Sequence, residues 1–405
     1  MPKIYLDNAA STPIDAKVVR EMAKATGLYG NPSSYNDCGR ETREYIEKAR
    51  LKVARFLGAH SDEIIFTASG TEANNLAIQG IARNFKFLIL NFKTKPKSKN
   101  SKPHVIITQI EHPSVLEPVR RLEKEGFNVS YLSVNHEGFI SLEELKKALR
   151  PETILVSVMY ANNEIGTIQP IVKISKIIND FRNRLLAYQL TSLPAFHVDA
   201  CQATEYLDMN INHLGVDMLT FNGSKVYGPR GVGVLYKRRG VALSPLLLGG
   251  EQESGLRAGT ENVPAIGGLA VALDNINKTE TERLTRLRDY FIKEIKSCMQ
   301  DILVSGALGN QRLPNNVHIS VPGLSSEVML LELDKYGICA GSGSACTSHS
   351  VEPSHVLKAI GVEKKYLDGA LRFSMGRQTT KGDLDYVSKV LPKVIGDLKR
   401  RYKKI

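Results

Sequence analysis

The sequence has few cysteines and no recognisable cysteine pair. Its 405 residues include five cysteines, at positions 38, 201, 298, 339 and 346. None forms a CxxC pair, and none combines with histidine at the spacing of a zinc site. An odd number of scattered cysteines argues against a disulfide framework and against a structural metal as the basis of the fold.

Long apolar runs are also missing. No stretch approaches the roughly 20 residues that span a bilayer. The N-terminal sequence MPKIYLDNAASTP has neither the apolar centre of a signal peptide nor the Arg/Ser-rich character of a transit peptide. We therefore expect no membrane association and a cytoplasmic location, where thiols stay reduced.

Positive charge is in excess, with a formal net charge of +12. Much of the excess lies in the lysine-rich segment 91–103 and in the tail 398–405. We interpret both as solvated segments, the alternative being a docking patch for tRNA or for an acidic protein. Neither has the interleaved aromatic residues of a single-strand binding platform, so we do not expect direct nucleic-acid binding.

The chain is long enough for two domains, because single cores stop growing at roughly 250 to 300 residues. In the first two-thirds, helical patterns alternate with apolar, β-branched runs at 63–69, 104–110, 127–134, 153–160, 196–200, 217–223 and 231–236. This alternation predicts an α/β domain around a mostly parallel sheet. After Pro264 helical patterns dominate, and strand-like segments at 315–321, 337–341 and 370–376 predict a second, α+β domain.

Three patterns carry groups that one cofactor needs. Gly70 and Thr71 lie between a strand and a helix, where backbone N–H groups favour an anion. Lys225 lies in the glycine-flanked turn NGSKVYGPRG, where partial desolvation favours the nucleophilic amine. Asp199 and Gln202 follow an apolar strand in HVDACQ, where a carboxylate is costly unless a positive group meets it.

Each pattern alone has an ordinary explanation, as a helix cap, a surface lysine or a strand end. Together they meet the needs of pyridoxal 5′-phosphate (PLP): a lysine for a Schiff base, a carboxylate for the pyridine nitrogen and a cradle for the phosphate. His112 of IEHPSV follows another strand and is suited to stack on the ring.

The segment GSGSACTSH, residues 341–349, raises a separate question. It surrounds Cys346 with glycine, serine and threonine, which favour turns over packed structure. A free cysteine is normally buried, so a thiol predicted to lie on a flexible loop needs a functional reason.

In their order along the chain, these motifs resemble those of the cysteine desulfurases. This is a group of PLP-dependent enzymes in the class V aminotransferase family, and the likeness is to its branch with a long cysteine loop, which serves iron–sulfur assembly and tRNA thiolation. The resemblance extends through YLDNAASTP, GNPSS, FTASGTEANNLAI, EHPSVL, ANNEIGTIQP, HVDACQ, KVYGPRGVGVLY, RAGTENVP, GSGSACTS, EPSHVL and LRFSMGR.

The resemblance implies an α/β fold of the PLP-dependent aminotransferase type (fold type I). A large PLP-binding α/β domain with a mostly parallel seven-stranded sheet would span 16–262. Residues 1–15 and 263–405 would form a smaller α+β domain that carries the cysteine loop.

It also implies roles for single residues. Cys346 would be the nucleophile, with Lys225 and His112 as the other catalytic residues. Asn163 and Arg372 would bind the substrate, the guanidinium holding a carboxylate. The residues in contact with PLP would be Gly70, Thr71, His112, Asn163, Asp199, Gln202, Asn222, Ser224, Lys225 and Thr260, the last reaching across to the partner subunit of a homodimer.

The implied activity converts L-cysteine to L-alanine and leaves a persulfide on Cys346. The sulfur would then pass to an acceptor, either an iron–sulfur scaffold protein or a tRNA-thiolation enzyme. Alternative interpretations are a selenocysteine lyase, another class V enzyme such as an aminotransferase, a pseudoenzyme that acts as a binding partner in sulfur trafficking, and a nucleic-acid-binding role for the basic insertion.

Two positions depart from the family pattern. The chain has Asn222, Gly223 and Ser224 before Lys225, where the family usually has Ser-Gly-His. It also has Asn36 where a histidine is usual. Ser224 and the Asn222 amide can still donate to a phosphate, so we expect the cofactor chemistry to survive.

Overall fold

The computed structural model describes residues 3–92, 102–187, 193–343 and 353–402. The strands in these ranges are β1 Ile4–Tyr5, β2 Ile64–Thr67, β3 His104–Thr108, β4 Asn128–Leu132, β5 Thr153–Met159, β6 Ala195–Asp199, β7 Met218–Asn222, β8 Gly233–Lys237, β9 Leu303–Val304, β10 Asn316–Ser320, β11 Ile338–Cys339 and β12 Ala370–Ser374. The helices are α1 Ala16–Ala25, α2 Asp37–Leu57, α3 Gly70–Phe92, α4 Pro113–Lys124, α5 Leu142–Ala148, α6 Ile171–Ala187, α7 Ile211–Leu214, α8 Val263–Asp274, α9 Lys278–Cys298, α10 Ser326–Asp334, α11 His355–Ala359, α12 Lys364–Leu367 and α13 Lys381–Tyr402.

Among the described residues, a seven-stranded central sheet has the order β2-β8-β7-β6-β5-β3-β4. Strands β4, β3, β5, β6 and β7 pair in parallel, whereas β8 runs antiparallel to both of its neighbours. The mostly parallel seven-stranded sheet predicted from the sequence is therefore confirmed. All residues of β3, β5 and β6 are buried, as expected when helices cover both faces.

The parallel arrangement determines where the functional residues meet. Strands that run in the same direction end at the same edge of the sheet, and ligands of open α/β sheets bind beyond that edge. Asp199 is the last residue of β6, and the segments that follow the carboxyl ends of β2, β3, β5 and β7 carry Gly70, His112, Asn163 and Lys225 respectively.

The C-terminal part forms a second apolar core. The antiparallel sheet β12-β10-β9 and the pair β1-β11 contribute to it, and Ile4 and Leu6 join residues from 284–398 in the same apolar cluster. Helix α8 instead packs against the core beneath the large sheet, through Ile266 and Leu269. The division at residues 262/263 stays a prediction.

Among the helices in the described ranges, none is both long enough and apolar enough to cross a membrane.

Candidate active site

A cavity of about 160 Å³ opens at the carboxyl edge of the sheet. Nine of the site residues predicted from the sequence line it: Gly70, Thr71, His112, Asn163, Asp199, Gln202, Asn222, Lys225 and Arg372. Sequence reasoning did not assign the other lining residues to the site: Ala9, Ala10, Asn74, Ser114, Met159, Ala161 and Cys201. The fold therefore gathers residues from both ends of the chain around one cavity.

Lys225 reaches the cavity from a single helical turn that follows β7. Its Nζ donates to the carbonyl oxygens of Ala9, at 2.7 Å, and Ala10, at 2.5 Å. The turn is tight: a Cβ on Gly223 would lie 2.4 Å from the carbonyl oxygen of Pro229. Glycine is therefore needed two positions before the lysine. The amine itself is held by its hydrogen bonds to Ala9 and Ala10 of the N-terminal segment.

Asp199, at the end of β6, is a nearly buried carboxylate, 7% exposed. Its Oδ2 accepts a hydrogen bond from Asn74 Nδ2 at 2.7 Å, and its Oδ1 accepts one from the backbone N–H of Cys201 at 3.0 Å. A carboxylate has about four lone-pair sites. Two donors therefore stabilise it and leave acceptor capacity for a cationic group in the cavity.

Asn74 is the functional side chain that sequence reasoning missed. Its Nδ2 donates to Ser114 Oγ at 2.8 Å as well as to Asp199, and only 1% of the residue is exposed. The available signal was a polar residue beside Ala73 and Ala77 on the apolar face of a predicted helix. A buried amide needs partners, so this pattern indicates a polar site beneath that helix.

His112 caps α4, and the cap determines its tautomer. Its Nδ1 accepts a hydrogen bond from the backbone N–H of Ser114 at 3.1 Å, and Ser114 Oγ lies 2.8 Å from the same nitrogen. The proton of the neutral ring is therefore on Nε2. Burial lowers the pKa of His112, and the positive charge of Lys225 adds to this effect while Asp199 opposes it.

Arg372, on β12, is 2% exposed. Its Nη1 donates to the carbonyl oxygen of Asn163 and its Nη2 to Asp7 Oδ1, both at 2.9 Å. Within the described part of the chain, its buried Nε has no hydrogen-bond partner. An unsatisfied buried donor is costly, and the carboxylate of a ligand in the cavity would satisfy it.

The segment that contains Cys346 begins and ends beside this site, although Cys346 itself lies outside the described residues. Gly341 exchanges two backbone hydrogen bonds with Arg372, at 3.0 and 2.6 Å. A Cβ on Gly341 would lie 2.9 Å from Asp7 Oδ1, so a side chain there would displace the Asp7–Arg372 ion pair. Beyond the segment, Ser354 Oγ donates to Glu164 Oε2 at 2.6 Å.

One part of the cavity lies at the N-terminus of α3, where Gly70 and Thr71 line it. A Cβ on Gly70 would lie 2.7 Å from Cys201 Sγ and 2.9 Å from Asn222 Nδ2, so glycine lets the start of α3 approach these two side chains closely. Backbone N–H groups at a helix N-terminus favour an anion. Cys201, expected from its sequence context to be a core residue, borders this space, and burial raises the pKa of its thiol well above the usual value.

Three other positions singled out in the sequence lie away from the cavity lining. Ser224 Oγ donates to Asn222 Oδ1 at 3.1 Å. Thr260 is exposed and borders a different pocket. Asn36 caps α2 by accepting a hydrogen bond from Gly39 N–H at 2.9 Å, which gives this departure from the family pattern a structural role.

Glu111, directly before His112, is a fully buried carboxyl group beneath the site. Its Oε1 accepts hydrogen bonds from Thr108 Oγ1 at 2.7 Å and from the backbone N–H of Met159 at 2.9 Å. Its Oε2 has no partner among the described residues. Burial raises the pKa of Glu111 to about 8, and the nearby charge of Asp199 adds to this effect.

Comparison with known proteins agrees with this arrangement. Residues 4–387 match the model of the family described as aminotransferase class-V. The chain is 46% identical over 402 residues to "Cysteine desulfurase IscS" from Dictyoglomus turgidum, an alignment that covers 98% of this chain and 95% of that protein. The chain belongs to the cysteine desulfurase family of class V aminotransferases.

Other members of the family are nearly as similar. A "Cysteine desulfurase" from Nostoc sp. is 44% identical over 403 residues, covering 98% of this chain and 94% of the relative. Among solved structures, a "NifS-like protein" matches with a TM-score of 0.85 and 34% identity, covering 98% of this chain and all of the other. A NifS-like protein from Rickettsia africae matches with a TM-score of 0.81 and 28% identity, with the same coverage of both chains.

We expect Glu111 to keep its proton at neutral pH and to lose it as the pH rises through about 8. Infrared difference spectra between wild type and Glu111→Gln should show the carbonyl band of a protonated carboxyl group at about pH 6, and the band should fade at about pH 9 to 10. Glu143→Gln, at an exposed position, is the control and should remove no such band. Absence of the band from the wild type at about pH 6 would contradict this protonation state.

Proposed function

We propose that the protein is a cysteine desulfurase that uses PLP to remove sulfur from L-cysteine. The observation that carries the proposal is the content of one cavity, where the amine of Lys225, the carboxylate of Asp199 and the guanidinium of Arg372 lie together. The segment that bears Cys346 starts beside that guanidinium. The names of the relatives, all aligned over nearly the whole chain, support the same reaction.

The residues present fit PLP. The part of the cavity that Gly70 and Thr71 line at the N-terminus of α3 suits a phosphate, and the remaining acceptor capacity of Asp199 suits a protonated pyridine nitrogen. Lys225 would hold the cofactor covalently, His112 would cover the ring and Gln202 would reach the phenolic oxygen. When bound, PLP supplies an electron sink that stabilises negative charge on the substrate.

Arg372 would bind the carboxylate of the substrate amino acid, and Lys225 would act on its Cα. The Nε of Arg372 has no partner in the described part of the chain, and it would donate to the substrate carboxylate. Asn163, which lines the cavity next to it, would contact the same ligand. Lys225 Nζ, once it leaves the carbonyl oxygens of Ala9 and Ala10, would move the proton of the substrate Cα.

His112 contributes as a neutral ring. Its Nδ1 is engaged by Ser114, so the other nitrogen carries the proton and acts as a donor. In this state the ring cannot take a proton from an incoming thiol. Deprotonation of that thiol therefore falls to another base or to solvent.

Cys346 would receive the sulfur. Its thiolate attacks the substrate sulfur, an S–S bond forms and the Cβ–S bond of the substrate breaks. One L-cysteine and one protein thiol thus give one L-alanine and one protein persulfide, with the thiol hydrogen transferred to alanine. The overall reaction therefore balances in atoms and electrons without an external oxidant or reductant.

The assembly and the partners are part of the proposal. In a homodimer, the exposed Thr260 would reach the cofactor of the partner subunit. The persulfide would pass to an iron–sulfur scaffold protein or to a tRNA-thiolation enzyme. A nucleophilic thiol must stay reduced, which favours the cytosol as the compartment.

The decisive experiment for the activity compares wild type with Cys346→Ser. With cysteine and PLP, the wild type should release alanine, and its Cys346 peptide should gain the mass of one sulfur atom, about 32 Da. Cys346→Ser should bind PLP yet form alanine at less than about one per cent of the wild-type rate. Cys298→Ser, which removes an exposed thiol elsewhere, is the matched control and should behave as wild type.

The same assay separates the alternatives. Turnover of selenocysteine but not of cysteine would indicate a selenocysteine lyase, and PLP binding without turnover of either would indicate a pseudoenzyme. Full alanine formation by Cys346→Ser would contradict the role of that thiol.

Asn74 should matter for cofactor binding through its hydrogen bond to Asp199. Asn74→Ala removes one of the two donors to Asp199 and the link to Ser114. We expect PLP affinity to fall roughly tenfold, which corresponds to about 1.4 kcal/mol. Fluorescence titration of the apoprotein measures this change.

Asn75→Ala is the matched control, because its amide bonds within α3 to the Thr71 carbonyl and to Gln79. This variant should change PLP affinity less than twofold or so. An equal loss in both variants would show that general helix stability, and not the orientation of Asp199, determines the affinity.

A further inference from the structure

We propose that Ser224 positions the Asn222 amide as the phosphate donor and does not itself bind the phosphate. The inference rests on the proposed function and concerns the position where this chain departs from its family. It assigns the two replaced residues different roles, a donor and a residue that orients it.

The hydrogen bond between the two side chains fixes the amide. Ser224 Oγ donates to Asn222 Oδ1 at 3.1 Å, so the oxygen of the amide faces Ser224 and its nitrogen faces away. That nitrogen lies 3.7 Å from Cys201 Sγ and 2.9 Å from the position of a Cβ on Gly70. The donor end of Asn222 therefore borders the space at the N-terminus of α3.

A hydroxyl group has one hydrogen. Ser224 gives that hydrogen to Asn222, so it cannot give it to a phosphate at the same time. Asn222 lines the cavity, whereas Ser224 is not among the lining residues. The Asn222 nitrogen has two hydrogens, and if one points to the Cys201 sulfur, the second is left for a phosphate oxygen.

The backbone around both residues is held tightly. Asn222 ends β7 opposite Gly233 of β8, and a Cβ on Gly233 would lie 2.5 Å from the backbone of Ser69, directly before α3. The carbonyl oxygen of Ser224 accepts hydrogen bonds from Thr12 N–H at 2.9 Å and from Thr12 Oγ1 at 3.1 Å. Because the backbone is fixed, the Asn222 amide can change its orientation only by rotation of the side chain.

That rotation decides whether the site attracts or repels a phosphate. The last torsion of asparagine is broad, so the side chain alone does not select one orientation. A half-turn would place the amide oxygen against the phosphate oxygens and lose a donor. The half-turn would also break the hydrogen bond that Asn222 Oδ1 accepts from the Ser224 hydroxyl, so this bond favours the orientation that turns the amide nitrogen toward the phosphate.

The test is a double-mutant cycle on PLP binding to the apoprotein. Ser224→Ala should weaken PLP binding roughly five- to tenfold, as expected for one lost hydrogen bond, and Ser224→Thr, which keeps the hydroxyl, should restore it. Asn222→Ala should weaken binding at least as much. In the Asn222→Ala background, Ser224→Ala should then have no further effect, because there is no amide left to orient.

Pyridoxal, which lacks the phosphate, is the second probe. None of these variants should change pyridoxal binding more than about twofold. Additive losses in the double variant, or a loss with Ser224→Thr equal to that with Ser224→Ala, would overturn the proposal. Equal losses for pyridoxal and PLP would also overturn it.

The outcomes separate this inference from the proposed function. A wild-type apoprotein that binds PLP while the two losses add would contradict only the orienting role of Ser224. A wild-type apoprotein that binds no PLP would contradict the proposed function, and this inference with it.

Discussion

The burial of the Asp199 carboxylate is the constraint on which the rest of the site depends. A carboxylate at the end of an inner strand costs several kcal/mol unless donors meet it, and Asn74 and the Cys201 N–H provide them. Asn74 also holds Ser114, and Ser114 holds the His112 ring. One chain of hydrogen bonds thus connects α3, the end of β6 and the start of α4 around the cavity.

The second part of the molecule completes the site with the groups that suit a substrate. Arg372 comes from β12, yet its guanidinium contacts Asp7 near the N-terminus and the Asn163 carbonyl beyond β5. Gly341 lies so close to the Asp7–Arg372 ion pair that a side chain there would displace it. The segment that bears the proposed nucleophile is therefore fixed at its start to the residue proposed to hold the substrate carboxylate.

The sequence predicts the strands of the large sheet and most of the cavity lining, because apolar, β-branched runs and the motifs that follow them are local signals. It does not predict the two-residue strands β1 and β9, although β11, which is equally short, lies within the predicted segment 337–341. It also cannot predict that Asp7 pairs with Arg372, 365 positions away. The orientation of the Asn222 amide depends on a neighbouring hydroxyl, which only the folded turn reveals.

The central claim is that this cavity holds PLP on Lys225, and borohydride reduction tests it most directly. Reduction of the PLP-loaded protein, followed by digestion and mass spectrometry, converts a Schiff-base lysine into a stable phosphopyridoxyl-lysine. The account predicts this modification on Lys225 and its loss in Lys225→Arg. Stoichiometric modification of a different lysine, or none at all in a protein saturated with PLP, would contradict it.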